Sequence, residues 1–237
     1  MLLDLIGAVA LTAASATVIG TLASALPWSS GARLRAALAL SLWFAIVATL
    51  AAGGALDATR GAGPLGVAAA VSLPLVLLAV AMFHPRLLAP AVEAIPLDVL
   101  VGLNAVRILG VFFIVLYAFG RLPAPFAPSA GWGDVLVGLT ALPVAHRIVT
   151  RARGWRGLAL AWNTFGLLDL GVAVSLGVTS SPGTPLRIFF GEPDASIMSG
   201  LPWLLVPGFL VPMFALTHIA VFARLRSGGS APLPAHV

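Results

Sequence analysis

Residues 97–119 read LDVLVGLNAVRILGVFFIVLYAF. Asp98 stands at the edge of this run and Arg107 near its middle; almost everything else in it is apolar. A helix needs about 20 mostly apolar residues to cross a bilayer core roughly 30 Å thick, and the run is long enough. An arginine at the centre of such a helix costs about 2.5–3.5 kcal/mol on insertion scales, so it faces a partner or a wet cavity rather than lipid. The stretch settles that the surrounding solvent is lipid, and it implies a polar site inside the protein.

The rest of the chain agrees. Hydrophobic residues fill 60% of the 237 positions and charged residues 9%, where ordinary soluble domains carry about 25% charged residues. Too few polar side chains remain to cover a water-facing surface. Seven stretches have the length and apolarity of spans: 3–26, 34–56, 65–83, 97–119, 134–149, 157–178 and 201–223. Breaker clusters such as Pro27-Trp28-Ser29-Ser30-Gly31, Gly61-Ala62-Gly63-Pro64 and Ser180-Ser181-Pro182-Gly183 separate them. The expected fold is an all-α polytopic membrane protein: a bundle of seven transmembrane helices over 1–226, followed by a disordered cytoplasmic tail, 227–237. The first stretch carries Asp4 and no basic residue at its start, so it reads as a retained helix rather than a cleaved signal peptide.

Arginine placement sets the orientation. With the N-terminus outside, the inner ends carry Arg33, Arg35, Arg86, Arg147, Arg151, Arg153, Arg156, Arg224 and Arg226, and the outer ends only Arg60, Arg121 and Arg187. That asymmetry predicts an outside N-terminus and a cytoplasmic C-terminus. The compositional bias towards Ala, Gly, Pro and Arg is that of a GC-rich bacterial genome, which points to a bacterial inner membrane. The arginines form no single patch, so nucleic acid is excluded as a partner; the lipid bilayer and a small polar solute are the expected ones. Two outer connections are long. Residues 121–133 contain Pro123, Pro125 and Pro128 and are expected to be stiff and extended. Residues 179–200 contain Leu186-Arg187-Ile188-Phe189-Phe190, expected to lie at the membrane surface or across the outer mouth.

Several chemistries are ruled out. There is no cysteine, hence no disulfide and no thiolate ligand or nucleophile. There is no lysine either, and a retinal Schiff base needs a lysine amine. His84, His146 and His218 all fall near the inner side, where facing imidazoles would suit haem or a metal. His84 is followed by Pro85-Arg86 and His146 by Arg147, which places both at the interface and sets that reading aside. No Gly-x-Ser-x-Gly or His-Glu-x-x-His pattern is present. A proline followed by a histidine recurs in the third and seventh spans, as a parallel repeat of three-helix units would require, but the first and fifth spans do not match.

The candidate site is therefore built from residues inside spans. Arg107 lies about 15 Å into the fourth helix and Asp169 about 18 Å into the sixth, which enters from the same side. Asn104, one turn before Arg107, together with Asn163 and His218, falls roughly 9–10 Å from the inner interface. Asp134, after Gly131-Trp132-Gly133, is expected to cap the fifth helix or to stand at the outer mouth beside Arg121. The leading expectation is a protein that binds, or binds and moves, a small polar or anionic solute or a proton between the fourth, sixth and seventh helices. The alternatives are a membrane enzyme acting on a lipid or quinone through His218 and Asp169, and a packing or signalling protein without a ligand.

Overall fold

The computed structural model describes residues 1–57, 61–82 and 95–227. Among these there is no strand. The helices are α1 (Leu2–Ala25), α2 (Ser30–Ala52), α3 (Gly63–Met82), α4 (Leu97–Ala118), α5 (Phe126–Val149) and α6 (Trp155–Thr179). The last, α7, opens as a π-helical turn at Val206–Leu210 and continues as α-helix Val211–Ser227. A short 3₁₀ turn, Ser196–Ser199, lies between α6 and α7. Arg60, His84 and Arg86 fall outside the described residues, as does the expected tail beyond Ser227.

Helices α1, α2, α4, α6 and α7 are each long and apolar enough to cross a membrane. Their outer faces confirm the solvent. Leu34, Leu38, Leu42 and Ile46 are exposed at four-residue spacing on α2, and Leu158, Phe165, Leu168 and Val172 are exposed on α6. Apolar surface of that extent is not tolerated against water. The protein is an all-helical membrane bundle.

Two helices begin elsewhere than their sequence suggests. Helix α5 starts at Phe126, eight residues before the expected Asp134, so Asp134 is no cap and 121–133 is not an extended connection. Pro125 sits at the N-cap and Pro128 within the first turn, where the backbone N–H groups have no intrahelical partner to lose. Gly131 and Gly133 read as breakers, yet they are helical because neighbours press against them. At Gly131 a Cβ would come within 2.6 Å of Ile114 Cγ1 and 3.0 Å of the Gly110 carbonyl. Helix α7 starts later than expected, at Val206. Pro212 cannot donate to the carbonyl of Gly208 four residues earlier; the Trp43 indole on α2 donates to that oxygen instead, at 3.1 Å.

Helix α4 is 3₁₀ over its middle, Leu103–Gly110. This stretch packs on α5, where Gly138 lies so near the Ile108 and Arg107 backbone that no side chain fits between. Two apolar cores result. One joins Leu11, Val18, Phe113, Leu116, Phe126, Trp203 and Phe209 at the end of the bundle that holds the N-terminus. The other joins Leu100, Val101, Val137, Ala141, Ala159, Trp162 and Val221 at the opposite end. Along α4, α5, α6 and α7 alike, the buried polar residues occur where one core gives way to the other.

Candidate functional site

Arg107 is the hub of that polar layer, and its side chain is fully buried. It projects from the 3₁₀ segment of α4 towards α5, α6 and α7. Nε donates to Asp134 Oδ1 on α5 at 2.6 Å, and Nη2 donates to Asp169 Oδ2 on α6 at 2.5 Å. Nη1 donates to the Gly166 carbonyl at 3.1 Å and lies 3.0 Å from His218 Nε2 on α7. A guanidinium has five N–H donors; these contacts occupy all but one. Phe214, one turn from His218 on α7, has its ring 6.0 Å from the guanidinium carbon.

The partners fix the state of the histidine. Arginine only donates, so His218 Nε2 accepts and carries no proton. Nδ1 lies 2.8 Å from Asn163 Oδ1 and donates to it. Asn163 Nδ2 in turn donates to the His218 backbone carbonyl at 3.0 Å. His218 is thus a neutral imidazole with both ring nitrogens occupied, its ring centroid 5.5 Å from that of Trp162. Arg107 is left to balance two carboxylates alone. With both ionised, the layer carries one uncompensated negative charge inside the membrane.

Helix spacing makes the cluster possible. An added Cβ at Gly133 would overlap the Asp169 carboxylate, and one at Gly166 would overlap the His218 ring. These two glycines let α6 approach α5 and α7 closely enough for one arginine to touch three helices. Asn104 belongs to the same layer but not to the Arg107 network. Its Nδ2 donates to Thr217 Oγ1 at 3.1 Å and to the Leu100 carbonyl at 2.9 Å, while its buried Oδ1 makes no hydrogen bond among the described residues. Of the expected residues, Arg107, Asp134, Asp169, Asn163 and His218 form one connected network. His146 is exposed on α5 and takes no part. Arg121, the outer partner expected for Asp134, binds Asp4 instead. The depth difference expected between His218 and Asp169 is bridged by the reach of one guanidinium.

Thr217, Trp162, Phe214 and the Gly166 carbonyl are contributors that the sequence does not advertise. Phe214 and His218 share a helix face at i, i+4, which is the one signal that could have pointed to the ring beside Arg107.

Beside the network lies a cavity of about 160 Å³ between α3, α5, α6, the 195–199 segment and the start of α7. Its walls are mostly apolar, and Asp134 is the one charged residue lining it among the described residues. A much smaller hollow of about 20 Å³ touches Arg107 and Asp134 from the other side, against Leu11, Phe112 and Trp203. Neither hollow is lined by His218.

The family described as Domain of unknown function (DUF8737) matches over residues 64–226, well over half of the chain, and the protein belongs to that family. The matched region contains every residue of the Arg107 layer and leaves α1 and α2 outside. No curated protein and no solved structure matches the chain.

Proposed function

We propose that this protein binds one positive charge at the Arg107 layer, as a proton or as the head of a small polar solute, and passes it across the membrane. In this reading the chain spans a bacterial inner membrane seven times with its N-terminus outside, as the arginine asymmetry supports. The cavity at Asp134 then opens from the outer half of the bundle, and the apolar core around Leu100, Val101, Val137 and Ala141 forms the inner barrier.

One observation carries the reading: a single buried arginine is shared by two carboxylates, Asp134 and Asp169, and the neighbouring histidine is neutral by its hydrogen bonds. An uncompensated charge in a low-dielectric interior costs several kcal/mol, so the layer is balanced when one positive charge joins it. The same count disfavours an anion, because the guanidinium already has carboxylates on two sides. A packing role alone calls for one carboxylate rather than two, and an enzyme using His218 would need a free ring nitrogen facing a cavity.

The test is proton movement in proteoliposomes loaded with a pH-reporting dye. Wild-type protein is expected to dissipate an imposed pH difference several-fold faster than Asp134→Asn or protein-free vesicles. Equal rates for wild type and Asp134→Asn would overturn the transport reading.

A further inference from the structure

The geometry points to a specific occupant of the cavity: a small lipophilic amine, its ammonium group on Asp134 and its apolar body against Phe113, Phe126, Leu170 and Val206. This rests on the reading of Asp134 as the group that receives positive charge, and it adds the chemical class of what arrives there.

The argument begins with the two oxygens of Asp134. Oδ1 accepts from Arg107 Nε at 2.6 Å. Oδ2 makes no hydrogen bond among the described residues, yet it is absent from the side-chain atoms that are both sealed and unpartnered. It is therefore not sealed, and Asp134 lines both the large cavity and the small hollow. A carboxylate oxygen facing apolar walls without a donor is costly, and a donor that also bears charge gives the strongest hydrogen bond available to it.

Four serines line the wall, Ser72, Ser181, Ser196 and Ser199, and none of them hydrogen-bonds Asp134 among the described residues. Ser181 Oγ donates to the Gly177 carbonyl at 2.7 Å and Ser199 Oγ to the Ser196 carbonyl at 2.7 Å. The rest of the lining is mostly hydrocarbon and aromatic ring, including Phe113, Phe126, Leu170, Val206 and Val211. A hydrocarbon tail entering alone would leave Oδ2 dry and unpaired. A carboxylate or phosphate would meet Asp134 with like charge. An alcohol would supply the hydrogen bond but leave the net negative charge of the layer in place. A protonated amine supplies the donor, balances the charge and leaves its body to the apolar walls.

Volume sets the size. The cavity, about 160 Å³, is close to the roughly 150 Å³ of an engineered apolar cavity that holds a benzene molecule. One aromatic ring or a short alkyl chain fits within it, with the amine one or two carbons away.

The experiment uses the full chain in detergent and four probes that share one body: 2-phenylethylamine, 2-phenylethanol, phenylacetate and ethylbenzene. Saturation-transfer NMR reads binding to wild type, to Asp134→Asn and to Ala173→Phe. Ala173 lines the cavity, and a phenyl group there fills it. Thermal melts without probe establish that both variants are folded, and their micelles supply the same background partitioning. The amine is expected to bind wild type about tenfold tighter than the alcohol or ethylbenzene, which is roughly 1.4 kcal/mol. That preference should vanish in Asp134→Asn, and all binding should vanish in Ala173→Phe.

Equal binding of all four probes to wild type, or a preference for phenylacetate, would overturn the proposal. So would an amine preference that survives Asp134→Asn. Amine selectivity without proton movement in vesicles would remove the transport reading and leave this site standing. Proton movement without amine selectivity would do the reverse.

Discussion

Two arginine–aspartate sites in this bundle join distant parts of the chain, and they differ in nearly every physical respect. At the end that holds the N-terminus, Arg121 grips Asp4 with both terminal nitrogens, at 2.8 and 3.2 Å, and the Trp203 indole donates to the same carboxylate at 3.0 Å. The Met1 amino group lies 3.2 Å from Asp4 Oδ2 as well, so two cations meet one anion, and the Arg121 and Asp4 side chains are about a third exposed, at 34% and 31%. In the middle of the bundle Arg107 meets two anions and is itself fully enclosed, and one of those anions, Asp134, lines a cavity. The group at that end has more cation than anion and is partly exposed, a clamp that ties α1 to the entry of α5 and of α7. The central cluster has more anion than cation and borders a cavity. Geometry, charge count and cavity together separate a clamp from a candidate site; the presence of an ion pair does not.

The largest expected effect comes from removing the inner hub. Arg107→Ala leaves two carboxylates buried without a cation and should cost about 3–5 kcal/mol, read as a fall in the unfolding midpoint of the purified protein in detergent. If that loss is no greater than the one produced by Arg121→Ala, the two sites are equivalent and the comparison fails. Gly133→Ala comes next. Its methyl group would overlap the Asp169 carboxylate, so α5 and α6 must part, with an expected cost of about 1–3 kcal/mol. An unchanged melt for this variant would mean that the α5–α6 contact yields easily and that Asp169 is held less tightly than its burial implies.

The smallest effect belongs to the outer clamp. Arg121→Ala should cost at most about 1 kcal/mol, since partly exposed ion pairs are screened by solvent. Trp203, packed against Gly7 with 2.7 Å to the position a Cβ would take, keeps its hydrogen bond to Asp4 in that variant. A loss well above 1 kcal/mol would show that the clamp carries the docking of α1, and the contrast with Arg107 would then be one of charge alone.

Much of the site was legible in the sequence because charge inside a long apolar run has so few tolerable explanations. Arg107 and Asp169 stood out on that ground, and helical rise put them at similar depth. Asn163 and His218 followed from their distance to the arginines at the inner ends. Asp134 was harder. Its neighbours Gly131 and Gly133, after three prolines, read as the end of a connection. Glycine between packed helices and proline in a first turn have the same composition as a turn, and only the position of the neighbouring helix tells them apart. The second oxygen of Asp134 and the cavity beside it had no sequence signal, because the residues lining that cavity come from separate helices.

The sequence by itself determined the solvent, the helical class, the approximate course of the helices and the existence of a buried charged layer. Each follows from local composition and from the cost of exposing polar groups to lipid. The tertiary structure decided which carboxylates share the arginine, which tautomer His218 adopts, that Asn104 bonds Thr217 rather than Arg107, and that Asp134 lines an apolar cavity. These depend on distances of a few tenths of an ångström between helices far apart in the chain. Such distances are set by where glycine lets backbones meet and where a 3₁₀ or π turn shifts a helix against its neighbour.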